Sequence, residues 1–345
     1  MANSELSYLP KITSLFLRMK SYLTCHVKLI VFTVILTGII SAQSSWNSSK
    51  VGSQGDLVAV YFTSDKDGWI AGDSGYLAFT SDGGVTWTKS PLETTEDINE
   101  IYFRNDENGY LVAGRVMFIT RDAGRTWRET KLYQAADIKK GTPEFLSIRF
   151  AGKKIGLAIG SIWQRVGRED VVVDSLVMRT DDGGETWRRM TVPSKVELYH
   201  LDFTDSSHAW IVGDKGLILA STDGGLTWRT QTSGITRALF NVDFRDDNDG
   251  YAVGGGGTIL RTENGGATWE KVNNPYTETL KRVDFADDKN GWIVGYGGAI
   301  LRSSDRGHTW IRQASNTKDR IYGLFMSKKY GWAVGENGLM LKYEK

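Results

Sequence analysis

From residue 57 onward, apolar positions fall in short runs separated by glycine-rich polar turns, and the runs recur in a fixed order. An apolar run ending in an aromatic residue is followed by Gly-(Trp/Tyr)-x-x-Gly, as in Gly291-Trp292-Ile293-Val294-Gly295, and then by an eight-residue motif, Ser/Thr-x-Asp-x-Gly-x-Thr-Trp. The motif occupies residues 80–87, 120–127, 180–187, 221–228, 262–269 and 303–310, with Asn264 in place of Asp in the fifth copy. Its tryptophans, at 87, 127, 187, 228, 269 and 310, repeat with a period near 41, apart from one gap of 60. About four short strands per 41 residues is the arithmetic of a β-propeller blade. One blade would hold strand A over 280–285, B over 291–294, C over 299–302 and an outer strand D from Trp310.

The ends fix the blade count. The last unit has strands A, B and C over 321–326, 331–335 and 339–343, and no motif follows them. Ser45-Trp46 stands 16 residues before Phe62, the distance that separates Trp269 from Phe285, so Trp46 reads as the missing outer strand. Pairing the first segment with the last three strands closes the ring without leaving an open edge inside it. The expected architecture is all-β: one seven-bladed propeller over residues 43–345 with four-stranded antiparallel blades, the last closed by the N-terminal strand.

Residues 29–40 form a continuous apolar run preceded by Lys20, His26 and Lys28 and followed by Ser41-Ala42-Gln43. This is the layout of a secretory signal peptide over residues 1–42, cleaved after Ala42, with Met19 a candidate start. The run is short of the roughly 20 residues a spanning helix needs, although an uncleaved anchor is the alternative. The single cysteine, Cys25, lies ahead of the apolar run, which leaves the exported part without disulfide or thiol chemistry and excludes a lipid-anchor cysteine. A net charge of +1 gives no reason to expect a nucleic-acid partner. The 39 glycines, 5 prolines and 12 tryptophans suit many short strands and tight turns.

The repeated motif suits the hairpin between strands C and D. Its Asp can accept backbone N–H groups, its glycines can supply positive φ, and its Trp can be buried beneath the turn. The structural set is Asp82 with Trp87, Asp122 with Trp127, Asp182 with Trp187, Asp223 with Trp228, Asn264 with Trp269, and Asp305 with Trp310. Residues 246–250, Asp-Asp-Asn-Asp-Gly, lack the acidic spacing and distal glutamate of a calcium loop and read as a solvated A–B turn. No metal or cofactor is expected.

These Asp boxes resemble those of the bacterial-neuraminidase-repeat superfamily, which includes sialidases, endo-xyloglucanases and sortilin-type receptors. The finer pattern Gly-(Trp/Tyr)-x-Val-Gly-x-x-Gly-x-(Ile/Leu)-Leu-x-(Thr/Ser), seen over 210–221, 251–262 and 292–303, is similar to that of the photosystem II assembly and stability factor family. The likeness spans residues 46–345 and implies a non-enzymatic scaffold in a lumenal or periplasmic space. No residue role of the family is carried over to a position here.

Two candidate partner surfaces emerge. In an antiparallel blade the A–B and C–D turns share one face, the back, while B–C turns and D–A connections share the front. Two insertions, 131–143 (a D–A connection) and 161–175 (expected as a B–C loop), fall on the front beside blade 3. They carry Tyr133, Lys139, Lys140, Trp163, Arg165, Arg168 and Glu169, a mixture typical of binding surfaces. The second surface comes from strand A, where the position three before the terminal residue reads Ala59, Glu100, Ser147, His200, Asn241, Arg282 and Gly323. Such variation in an inner strand marks a polar cluster at the channel mouth, joined by rim residues Tyr199, Phe240, Lys281 and Tyr322. Acidic A–B turns at the back and Arg165, Arg168, Arg237, Lys281, Arg282, Lys318 and Arg320 toward the front predict an electrostatically two-faced molecule with an acidic partner in front.

The expected function is a monomeric, exported scaffold that holds a protein partner, located in the periplasm, at the cell surface or outside the cell, or in the thylakoid lumen of a photosynthetic source. One alternative is a sialidase- or xyloglucanase-like glycoside hydrolase. For that, Arg282 is the one strand-A arginine expected near the mouth, and Glu100 could pair with Glu169 or Asp170. The other is a cell-surface propeller that binds carbohydrate or peptide, with Trp163 and the rim tyrosines stacking on the ligand.

Overall fold

A computed structural model describes residues 45–53 and 55–344, and the segment expected to be a signal peptide lies outside them. Seven four-stranded antiparallel sheets follow one another around a ring. Blades 1 to 6 occupy residues 57–89, 98–130, 142–189, 198–231, 239–271 and 280–312. In blade 7, strands Ile321–Met326, Tyr330–Gly335 and Leu339–Glu344 are completed by Ser45–Lys50, which pairs antiparallel with the last of them and sets Trp46 opposite Tyr343. Trp46 is buried, packs on Tyr343 at 5.3 Å between ring centroids, and donates from Nε1 to Gln313 Oε1 at 3.1 Å.

The sequence pattern maps onto the seams between blades. The aromatic of strand B in one blade lies against the aromatic that ends strand A of the next: Trp69 on Phe103 (4.3 Å), Tyr110 on Phe150 (4.1 Å), Trp210 on Phe244 (3.7 Å) and Tyr251 on Phe285 (4.7 Å). Trp332 of blade 7 stacks on Phe62 of blade 1 in the same way, at 5.4 Å. Because each aromatic is shared by two sheets, the core is distributed around the ring, and no blade can bury its faces alone.

The Asp boxes form the C–D turns. In the first, Asp82 Oδ1 accepts from Thr80 Oγ1 (2.7 Å) and Thr86 N (2.9 Å), Asp82 Oδ2 accepts from Thr86 Oγ1 (2.6 Å), and Thr80 Oγ1 accepts from Gly84 N (2.9 Å). Hydrogen bonds from Thr86 and Thr80 hold the Asp82 carboxyl down at about 2. Asn264 keeps the acceptor contacts with Thr262 Oγ1 and Thr268 N, both 2.9 Å, but turns Nδ2 toward Thr268 Oγ1 as a donor. The box glycine is required twice over. Gly84 has φ +77°, and a Cβ there would meet the Trp332 indole at 2.6 Å, so the turn lies flush on the preceding blade. Five of the six box tryptophans are half-buried under these turns, and Trp310 is buried. In blades 1 to 6 outer strand D starts one residue after the tryptophan and is only two or three residues long, as in Thr88–Lys89 and Arg229–Gln231.

One expectation is corrected. Residues 161–175 are not a loop: they extend strands B and C of blade 3, Ile155–Val166 and Glu169–Thr180, into a long hairpin whose tip is Gly167-Arg168. Residues 162–166 and 169–174 are rich in β-branched side chains and pair across the hairpin, with one register shift at Trp163, so the extra length is absorbed as ladder. Among the described residues no helix is long and apolar enough to cross a membrane.

Candidate functional site

Every strand A carries a bulge near its front end. The register against strand B skips one residue after Leu57, Ile98, Leu198, Leu239, Leu280 and Ile321, and after Phe145 in the lengthened strand of blade 3. The skipped residues are Val58, Asn99, Leu146, Tyr199, Phe240, Lys281 and Tyr322, and together they line a depression of about 280 Å³ at the front mouth of the channel. An extra residue in one strand re-aims its side chain out of the ladder, so the bulges convert seven inner strands into a ring of side chains facing the mouth. The rim residues expected from sequence are therefore brought together, by a device that sequence does not announce.

On one side of this rim the side chains form an aromatic and basic crescent. Tyr199 and Phe240 are 4.9 Å apart between centroids, and Lys281 Nζ sits 3.8 Å above the Phe240 ring. Burial, with Arg282 alongside and against the pull of Glu197, lowers the Lys281 ammonium to about 8. Tyr199 donates to Glu197 Oε2 at 2.9 Å, and burial raises that carboxyl. Tyr322 meets Tyr296 edge-on at 6.0 Å, and Arg320 lies over Tyr296 at 5.1 Å.

Below the rim, the expected polar cluster is assembled across the channel. Glu100 is buried, and its Oε1 accepts from Arg149 Nη2 (2.9 Å) and Arg282 Nη2 (3.0 Å), with His200 Nε2 at 3.5 Å; Oε2 accepts from Ile148 N (3.0 Å). Burial alone would raise this carboxyl, but Arg149 and Arg282 outweigh it and hold it well below the usual range. His200 Nδ1 lies 3.1 Å from the Val242 carbonyl; burial, with Arg282 and Arg149 nearby, lowers the imidazole to about 3, so it is neutral. Asn241 accepts from Val283 N at 3.0 Å.

A second ring, two residues further along strand A, was missed: Tyr61, Tyr102, Arg149, Asp202, Asp243, Asp284 and Phe325 also line or adjoin the channel, which holds a cavity of about 190 Å³. Arg282 is therefore not alone, since Arg149 is a second strand-A arginine in the channel. Burial raises Asp202 to about 6 and Asp284 to about 7, and pushes Asp243, flanked by both, well above its ordinary value. The signal existed in the strand alternation, because residues two apart share a face.

The insertion cluster lies apart from this ring. Tyr133 packs on Phe145 at 6.2 Å, and Arg189 ties the 131–143 connection to the hairpin by donating to the Asp137 carbonyl and to Asp174 Oδ2 (2.6 Å). Trp163, Arg165, Asp170 and Glu144 flank a groove between blades 2 and 3. Arg165 pairs with Asp170 at 2.7 Å, and Lys139, Lys140, Arg168 and Glu169 are exposed. The imagined acid pair of Glu100 with Glu169 or Asp170 does not form, because Glu100 is inside the channel and the other two are at the hairpin tip. Nor is the front uniformly basic: Asp73, Asp214 and Glu336 occupy B–C turns, and front bases pair with front acids, as in Arg115–Glu96, Arg312–Glu278 and Lys50–Asp319.

The family model for "Photosynthesis system II assembly factor YCF48" matches residues 39–136, 177–273, 228–318 and 276–344. The chain belongs to this YCF48 family. The unmatched interval, 137–176, holds most of the two insertions, so the blade 3 hairpin lies outside what the YCF48 model describes. Among solved structures, "YCF48 bound to D1 peptide" aligns with a TM-score of 0.70 at 20% identity, over 87% of this chain and 97% of that one. YCF48 from Cyanidioschyzon merolae aligns at 0.69 and 19% identity, over 87% and 99%. Virginiamycin B lyase from Staphylococcus aureus, in a catalytically inactive form with quinupristin, shares the fold at 0.69 and 12% identity, over 88% and 100%. No curated protein sequence matches.

Proposed function

We propose that this protein is an exported, non-enzymatic assembly factor that holds a segment of a membrane-protein partner against the front mouth of its channel. The bulge ring carries the reading. It gathers Tyr199, Phe240, Lys281 and Tyr322 at one concave opening, where aromatic faces and a partly desolvated ammonium offer stacking and a charge to a peptide. Membership of the YCF48 family supports a protein partner, as does the relative solved with a D1 peptide. In a photosynthetic source the compartment would be the thylakoid lumen, and elsewhere the periplasm or cell surface.

A glycosidase reading finds less support, since Glu100, the channel carboxylate that reading draws on, is engaged by two guanidiniums and a backbone N–H. The test is capture of partners from the native membrane with wild-type protein and with Tyr199→Ala and Lys281→Glu variants. Arg282 is left intact because it neutralises Glu100. A membrane protein retained by wild type and lost from both variants is the expected result; equal retention by all three would place the partner elsewhere.

A further inference from the structure

On the back face, the residue after strand A can reach across the seam to the A–B turn of the next blade. In blade 2 this is Arg104, whose Nη1 donates to the Lys153 carbonyl of blade 3. In blade 5 it is Arg245, which donates to the Asp288 carbonyl of blade 6 while pairing with Asp249 of its own turn. A guanidinium therefore spans each of these two seams. Between blades 4 and 5 the same position is Thr204, which donates to the Asp247 carboxylate, and the counterpart of Asp249 is His208. His208 Nδ1 lies 3.1 Å from Asp205 Oδ2 and 3.9 Å from Asp247 Oδ1, and one ligand atom from each residue falls within 4.8 Å of the other two. Two carboxylates converge on one imidazole nitrogen where the other two seams hold a fixed positive charge.

We propose that this seam binds a divalent transition-metal ion, zinc by preference, through His208 Nδ1, Asp205 and Asp247. Zinc bonds of about 2.0–2.2 Å place neighbouring ligand atoms about 3–3.5 Å apart; the His208–Asp205 spacing is already in that range, and the Asp247 carboxylate, on an exposed turn, has a short distance to close. Asp205 presents the right oxygen, because Oδ1 accepts from Ser207 N (2.6 Å) and His208 N (2.7 Å) and leaves Oδ2 toward the imidazole. The His208 ring lies nearly parallel to the buried Trp210 indole, 6.3 Å away, which supports its orientation. An imidazole with two carboxylates suits zinc, whereas calcium and magnesium take oxygen ligands. His208 binds as the neutral ring with its proton on Nε2, and water completes the coordination. The ion clips blade 4 to blade 5, as the guanidiniums clip the other two seams, on the face opposite the proposed partner surface.

The test is calorimetric titration of the protein, purified without an affinity tag and stripped of metal, with zinc chloride and separately with magnesium chloride. One zinc per chain is expected, weakened by roughly tenfold or more in His208→Ala and in Asp247→Asn. Zinc should also raise the thermal midpoint of wild type and leave that of the variants unmoved. No zinc binding, equal affinity in both variants, or magnesium bound as tightly as zinc would overturn the proposal. None of these outcomes bears on partner capture at the front face.

Discussion

Glu100 of blade 2 and Arg282 of blade 6 meet inside the channel at 3.0 Å, although 182 positions separate them in the chain. Arg149 of blade 3 reaches the same carboxylate, so one buried anion ties three blades, and Arg149 also donates to His200 Nε2 of blade 4 at 2.9 Å. Glu100→Gln leaves two guanidiniums without their counter-charge. The expected loss is about 3–5 kcal/mol of unfolding free energy, the cost of breaking a buried pair from one side, measured by urea denaturation. A variant as stable as wild type would mean that channel water solvates the arginines adequately.

Stability should depend on pH through three channel groups, two carboxyls and one imidazole, whose contributions run in opposite directions. Asp202 and Asp284 are raised to about 6 and about 7, so the stability they contribute is complete below the unfolded carboxylate value near 4 and is lost as pH rises through 6–7. His200 is depressed to about 3, so its contribution is present above the unfolded imidazole value of about 6.5 and lost as pH falls toward 3. The two windows overlap and oppose each other between about pH 4 and 6.5, so wild type and variants are compared by thermal midpoint from pH 3 to 8. Asp284→Asn should lessen the fall toward pH 8, and His200→Asn the fall toward pH 3.

Ring closure should be sensitive to one side chain. Trp46 is 1% exposed and holds the strand that completes blade 7. Trp46→Ala is expected to cost about 3–5 kcal/mol and to increase proteolysis within residues 45–50 before any other blade is cut. Simultaneous loss of all blades would instead mark the ring as a single cooperative unit.

Two Asp boxes carry removable strain: Ala123 has φ +60° and Arg306 φ +63° at a position that is glycine in the other four. Arg306→Gly should therefore gain about 0.5–1 kcal/mol, since a side chain at positive φ is penalised by about that margin over glycine. The denaturation midpoint should rise with an unchanged slope.

The blades and their closure were legible in the sequence because their determinants are local and repeated: Thr80, Asp82, Gly84 and Thr86 bond one another within seven residues, and the same spacing recurs down the chain. What escaped depends on register. The bulges at Tyr199 and Lys281 follow from how strand A meets strand B, which no spacing within one strand records. The Arg149 and Asp202 ring lies two residues beyond the variable position of strand A, on the same strand face. The blade 3 hairpin reads as a loop in sequence because a break in period measures extra length without saying whether that length pairs. The front face, read from its bases alone, proved mixed once Asp73, Asp214 and Glu336 took their places in the B–C turns.

The pairing of residues 45–50 with 339–344 sets an order of events. Blades 1 to 6 each consist of a continuous stretch and can assemble as the chain emerges, whereas the seventh sheet must wait until residue 344 is available. During that interval Ser45–Lys50 is a strand without a sheet, and the Trp332 and Phe62 faces lack their final support. The molecule is thus an open arc until its last segment is in place, and the channel comes into being only at that final step of assembly.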